Sequence, residues 1–256
     1  MITPFNIQTV TTNDHLVIPD GQIKPGLSLT HWECLGKYIV EHRPQVIVNI
    51  GDFWDMPSLG AYESSSSKGV SRYSIQKDFD AGNKAMDIIM EHIGKVAGYS
   101  PRLEFCIGNH EERIERAIKA DCTLEGVIGY QKLNLDGWTV RDFLKPVTID
   151  GVTYAHYFYN PMSGRPISGT IDNMLKQIGY SFTQGHRQEF LHGRRDLNNG
   201  NSIYGLVAGA FYTHNEEYKG HQANHHWRGI VHKHDVKAGQ YDIETVSLSR
   251  LLRKYK

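Results

Sequence analysis

The run "SFTQGH" ends in Gly185-His186, and the chain continues Arg187-Gln188. A histidine delivered just past an apolar strand is well placed to bind a metal. Two residues later, where a second imidazole would extend the pattern, stands an amide. Four other polar groups occupy the same kind of position. Asp20 and Gln22 follow "HLVIP", Asp52 and Asp55 follow "QVIVNIG", Asn109 and His110 follow "RLEFCIG", and His156 follows "VTYA". Carboxylate, amide and imidazole are the donor types divalent cations take, and a histidine among acids is a general acid–base set. Read singly, each has a plainer explanation. Gly-Asp makes a turn, Asn109 is a good helix cap, and His156 suits a hydrogen-bonded core position. Five such clusters, each ending an apolar run, argue for one convergent polar centre.

The elements that must hold these groups can be read from periodicity. Residues 15–20 form a strand. Thr30 to Glu33 fits a capping box, opening a helix through Leu35, Tyr38 and Ile39 that stops before Pro44. Gln45–Ile50 is a continuous apolar strand, and Phe53–Lys77, with its Ser64–Ser67 run, reads as a solvated loop. From Asp78 to Ala97 the apolar face Ala85, Met86, Ile89, Ile93 and Val96 predicts a helix. A strand over 102–107 and a helix over 112–120 follow. Strand and helix alternate, which predicts a parallel layer. The second half changes character: an Asp-Gly hairpin over 147–158, a helix Ser168–Ile178, and strands in "YSFTQGH", "IYGLVAGAFY", "WRGIVHKHDV" and "QYDIETVSL". The expected fold is α/β, two packed sheets with helices outside, in a single domain over 1–256. In such layers functional groups gather beyond the carboxyl ends of the strands.

Bulk composition removes several classes. Lys+Arg and Asp+Glu are both 28, so the chain lacks the overall charge of a strongly basic nucleic-acid binder, although a local basic groove stays open. Cys34, Cys106 and Cys122 form no C-x-x-C pair, which argues against a disulfide framework and a cysteine zinc site. No apolar run nears the roughly 20 residues that span a bilayer, and no basic-then-apolar leader opens the chain. The expectation is a cytoplasmic protein with no membrane partner. Nine of the 14 histidines lie from His156 onward. His31, His214, His232 and His234 are therefore reserve ligands, with His232 and His234 two apart and facing one side of a strand.

"GDFWD", "GNHE", a strand-borne histidine and "GH", in that order, resemble the calcineurin-like metallophosphoesterase superfamily. "VIPDGQIKPG" and "IGDFWDMPSL" further resemble versions carried by bacteriophages and prophages, which would make the relevant cytoplasm that of the host cell. The resemblance spans Asp20 to Gln188. It implies a four-layer α/β/β/α sandwich and a hydrolase with two divalent metal ions. On it, Asp52 resembles the carboxylate bridging both ions, and Asn109, His156 and His186 resemble the other ligands of one. Asp20 resembles a ligand of the second, and His110 the histidine that helps the leaving oxygen depart. Asp55 supports the site from outside the ligand shell. Two cations about 3.5–4 Å apart acidify water and clamp phosphoryl oxygens. A carboxylate can bridge them where an imidazole cannot.

The departures fall on one side. The superfamily's Asp-x-His is here Asp20-x-Gln22, and its Gly-His-x-His ends in Gln188. One site then keeps Asp52, Asn109, His156 and His186. The other becomes all oxygen: Asp20, Gln22, Asp52, Gln188 and water. Oxygen donors suit Mn²⁺ or Mg²⁺, with Mn²⁺ favoured, while imidazole also suits Fe, Zn²⁺ or Ni²⁺. The alternatives are that this second site stays empty or that a reserve histidine fills it. Three classes of function remain: a phosphodiesterase or nuclease, a phosphomonoesterase or protein phosphatase, and a metal-binding module without turnover. Lys68, Arg72, Tyr73 and Lys77, with "HHWRGIVHKH", point toward nucleic acid. Arg113, Arg116 and Arg187 could clamp a monoester. His110 argues against a pure scaffold. Oligomeric state and the role of the basic tail "RLLRKYK" are not readable.

Overall fold

The computed structural model describes residues 12–60, 74–215 and 226–256. The Ser64–Ser67 run and Lys68, Arg72 and Tyr73 lie outside them. The elements are β1 (Asn13–Ile18), α1 (Thr30–His42), β2 (Val46–Asn49), α2 (Ile75–Gly94), β3 (Arg102–Cys106), α3 (Glu112–Ala120), β4 (Thr139–Arg141), β5 (Val147–Ile149), β6 (Val152–Tyr154), α4 (Ile171–Ile178), β7 (Phe182–Gln184), β8 (Phe190–Asp196), β9 (Ser202–Ala208), β10 (Gly229–Lys237), β11 (Gln240–Ser247) and α5 (Leu248–Tyr255). They build two mixed sheets, ordered β11-β10-β1-β2-β3-β4 and β5-β6-β7-β9-β8. β1, β2 and β3 run parallel, as do β6, β7 and β9.

Period-two alternation decides the layering. In β2, Val46 and Val48 face the second sheet, meeting Val152, Tyr154 and Leu206, while Ile47 faces the helices. The outer face of the first sheet buries Trp32, Leu35 and Ile39 of α1 and Met86, Ile89 and Ile93 of α2. The outer face of the second buries Met174 and Leu175 of α4 against Phe182 and Val207. The result is helix, sheet, sheet, helix. No helix among the described residues is long and apolar enough to cross a membrane.

One polar relay interrupts the core between the sheets. Asp150 Oδ2 lies 2.9 Å from His15 Nε2, and His15 Nδ1 lies 2.7 Å from the Tyr154 hydroxyl. Lys233 Nζ reaches the hydroxyls of Tyr154 (3.4 Å) and Thr183, between the rings of Tyr154 and Tyr241. Lys233 is fully buried.

Several sequence expectations need correction. The capping box at Thr30 does not form: Leu29 precedes the helix without a side-chain cap, and Glu33 instead meets His92 Nε2 at 2.9 Å. α2 begins at Ile75, where Ser74 accepts from Lys77 N at 3.2 Å, so Lys77 is helical. The basic tail, for which the sequence carries no expectation, is helix α5. Leu251 is buried, and Tyr255 donates to Glu41 of α1 at 2.9 Å. The Asp-Gly hairpin forms as expected: Asp150 (φ 49°) and Gly151 (φ 85°) both take the left-handed turn conformation.

Candidate metal centre

The parallel strands of both sheets carry their following residues to one edge. Past β1 lie Asp20 and Gln22, past β2 Asp52 and Asp55, and past β3 Asn109 and His110. From the second sheet come His156 past β6, and His186 and Gln188 past β7. The link between the sheets is direct, since His186 N donates to Asp20 Oδ1 at 3.1 Å. Gly185 permits that approach, because a Cβ there would collide with Asp20 Oδ1.

Four donor groups converge. Asn109 Oδ1 is 2.9 Å from His156 Nε2 and 2.7 Å from His186 Nδ1. Asp52 Oδ1 is 3.3 Å from His156 Nε2. Asp52, His156 and His186 offer ligand atoms all within 4.8 Å of one another. His156 Nδ1–H donates to the Ile50 carbonyl at 2.8 Å, which turns Nε2 into the cluster, as an outer-shell partner orients a metal-binding imidazole. On the other side, Asp20 Oδ2 and Gln22 Oε1 are buried without a hydrogen-bond partner. Buried oxygens left unsatisfied are costly, and a divalent cation would satisfy them. Converging lone pairs and orphaned oxygens make this donor set fit for divalent ions.

No family model matches this chain. No curated protein matches it either. Solved structures do. The chain is similar to a dimetal phosphatase from Danio rerio, at 10% identity and a TM-score of 0.45, covering 93% of this chain and 96% of that one. It is similar to Yfce, a phosphoesterase from E. coli, at 12% identity and 0.41, covering 92% and 99%. It is also similar to Chaetomium thermophilum Vps29, at 9% identity and 0.42, covering 92% and 97%.

The loop bearing Asp52 is held by Glu111, a role the sequence reading missed. Its carboxylate accepts from the backbone N–H groups of Asp52 (2.9 Å), Phe53 (2.7 Å), Trp54 (2.9 Å) and Gly108 (2.9 Å). One buried carboxylate thus ties the turn after β2 to the turn after β3. The available signal was the acid closing "GNHE", a charge at a helix start with no exposed face to occupy. Asp52 also accepts from His110 N at 2.9 Å. Gln22, Asp52, Met56, His186 and Gln188 all have positive φ, 41° to 65°. Non-glycine residues rarely adopt this conformation, which collects at functional sites.

Burial and mutual charge set the acid–base balance. Burial and the Asp52 charge push Asp20 up to about 7. Burial alone would raise Asp52, but His110 and His156 outweigh it and hold that carboxyl well below its ordinary range. Burial opposes the imidazolium of His110 and of His156, yet Asp52 and its acidic neighbours raise both to about 9.

The remaining sequence candidates separate clearly. Asp55 Oδ1 accepts from His110 Nδ1 at 2.8 Å, which turns Nε2 toward Asp52 Oδ2 at 3.7 Å. Arg113 donates to the Asp55 carbonyl at 2.8 Å and lies 3.3 Å from His110 Nε2. Arg116 donates to the Asn109 carbonyl at 2.8 Å. Arg187 donates to Gly169 O (2.9 Å) and Glu189 (2.8 Å). Gln188 Oε1 accepts from Tyr212 at 3.0 Å. His31 is buried between Trp32 and Phe211, and His214 lies against Tyr212. His232 and His234 do face one side, with ring centroids 4.2 Å apart. They join Asp14 in a separate cluster.

Proposed function

We propose that the chain is a metal-dependent phosphoester hydrolase of calcineurin-like type, acting by preference on phosphodiesters of nucleic acid or nucleotides. The convergence of Asp52, Asn109, His156 and His186 from four strand ends carries this reading. Asp52 would be the ligand common to two divalent ions; Asn109, His156 and His186 would hold one, and Asp20, Gln22 and Gln188 the other, with Mn²⁺ favoured there. When bound, the ions supply charge neutralisation and an acidified water at phosphorus. The residues supply orientation and a proton. Glu111 fixes the turn of Asp52, and His156 is aimed by the Ile50 carbonyl. His110, oriented by Asp55 through Nδ1, delivers the leaving-group proton from Nε2.

Two observations favour a diester. Arg113, Arg116 and Arg187, the arginines nearest the motifs, each spend hydrogen bonds on protein groups, which counts against a clamp for a dianionic monoester. A hollow of about 240 Å³, lined by Lys24, Lys77 and Lys84 together with Asp80, adjoins Asp55 through Lys24, whose Nζ is 3.8 Å from Asp55 Oδ2. Such a hollow suits a second, flanking phosphate.

The test is turnover of bis-p-nitrophenyl phosphate, p-nitrophenyl phosphate and single-stranded DNA, each with Mn²⁺. Diester turnover well above monoester turnover is expected. Faster monoester turnover moves the assignment to a phosphomonoesterase. No turnover on any of the three, with metal bound, leaves a binding module.

A further inference from the structure

We propose a second transition-metal site, of Zn²⁺, Co²⁺ or Ni²⁺ character, formed by Asp14, His232 and His234 at the far end of β1 from the catalytic edge. Asp14 and Asp20 are six positions apart, roughly 20 Å at the ~3.3 Å rise of a strand. The two centres are therefore distinct, and this one does not depend on the proposed hydrolase activity.

Each ligand is held by one polar atom and leaves the other facing its partners. Asp14 Oδ1 accepts from Asp235 N at 3.1 Å, and its Oδ2 faces His234 Nδ1 at 3.0 Å and His232 Nε2 at 3.6 Å. His234 Nε2 is engaged by Glu244 Oε2 at 3.2 Å. His232 Nδ1 is engaged by the Tyr38 hydroxyl at 2.8 Å. All three ligand atoms lie within 4.8 Å of one another. Zinc bonds of about 2.0–2.1 Å place tetrahedral ligand atoms roughly 3.3 Å apart, so small adjustments close the site. A carboxylate or hydroxyl on the second ring nitrogen is how proteins orient metal-binding imidazoles.

A separate observation points to a ligand. His232 is 1% exposed, and its Nε2 has no hydrogen-bond partner. Its closest approach to Asp14 is too long for a hydrogen bond. A buried ring nitrogen aimed at a carboxylate oxygen it does not reach is costly as it stands, and an intervening cation satisfies both. The backbone is also irregular here. The β1–β10 register breaks between Asn13 and His15, the β10–β11 register breaks between His234 and Lys237, and Asp235 has φ 53°. Strand irregularities of this kind re-aim side chains beside sites. Asp14, His234 and Glu244 are each about one-third exposed, which gives an ion its route in. The two histidines and one acid leave an open position for water and favour borderline metals over Mg²⁺ or Ca²⁺.

The test is Zn²⁺ titration of the full chain by calorimetry, with stoichiometry by metal analysis. Wild type is expected to bind one more Zn²⁺ per chain than His234→Gln or Asp14→Asn, at micromolar affinity or tighter. Asp52→Ala is expected to keep this ion while losing those at the catalytic edge, so failure here and failure of the hydrolase reading are distinguishable. Glu244→Gln, which meets the site only at the outer nitrogen of His234 and otherwise pairs with Arg250, is expected to retain the site and weaken it about 10- to 100-fold. Equal Zn²⁺ number and affinity in wild type and His234→Gln overturns the proposal, as does binding only at millimolar Zn²⁺. Either result makes His234 an imidazolium paired with two acids and nothing more.

Discussion

The two sides of the candidate centre are built differently. On one, Asn109, His156 and His186 already touch, with 2.7 and 2.9 Å contacts and His156 fixed from behind by the Ile50 carbonyl. On the other, Asp20 Oδ2 and Gln22 Oε1 have no partner, and Gln188 is engaged by Tyr212. The imidazole side is preassembled by its own hydrogen bonds. The oxygen side holds donors that gain most when a cation arrives and that admit hard ions more readily than soft ones. Gln22 and Gln188 both lie on the oxygen side, so the glutamine amides of the centre are gathered opposite its imidazoles.

The strongest way to break this comparison is Asp52→Ala, which removes the group common to both sides. Metal analysis should show both ions lost, and diester turnover should fall further than for any other single change. His110→Gln comes next. It should keep both ions and lose roughly 100- to 10,000-fold in kcat, the usual range for a missing acid–base group. Gln188→His should raise Zn²⁺ affinity on the oxygen side by roughly 10- to 100-fold and leave the other side unchanged. Calorimetry with each metal would show it, and an equal effect on both sites would erase the distinction.

The smallest effect is the pH dependence of metal binding. An entering cation displaces protons, so affinity rises with pH until the displaced group is already deprotonated. His156, raised to about 9 by Asp52, is the group on one side, and Asp20, raised to about 7 by burial and Asp52, is the group on the other. Affinity of the oxygen side should stop rising near pH 7, while that of the imidazole side should climb, by up to about tenfold per pH unit, toward pH 9. Metal titrations between pH 6 and pH 9 would separate the two curves.

The comparison also shows what the sequence could disclose. Convergence at the strand ends was legible, because apolar runs fix where strands stop and parallel order brings those stops to one edge. The α3 bounds and the Asp-Gly hairpin followed from propensity alone. β8 was not legible. Its sequence, "FLHGRRD", shows no period-two pattern, since it is a half-exposed edge strand held by a ladder to β9. α5 was hidden by its basic residues, although Ser247 caps it and Leu248 and Leu251 mark its inner face. The left-handed backbone at Asp52, His186 and Gln188 leaves no local signature, and the acid closing "GNHE" marks Glu111 without disclosing the turns it braces. Both arise only when two turns from different strands are pressed together.

Lys233 carries a consequence for the whole molecule. Burial between the sheets holds its amine well below the ordinary lysine value, whereas in the unfolded chain it titrates near about 10.4. The denatured chain therefore binds the extra proton. This contribution to stability is full above that value and shrinks as the solution is acidified toward the folded pKa. Acidification thus works against the contact between the sheets even though no metal or substrate is involved. Replacing the amine with a thioether of similar reach, Lys233→Met, should raise the melting temperature at neutral pH and flatten its slope with pH, while diester turnover stays as it was.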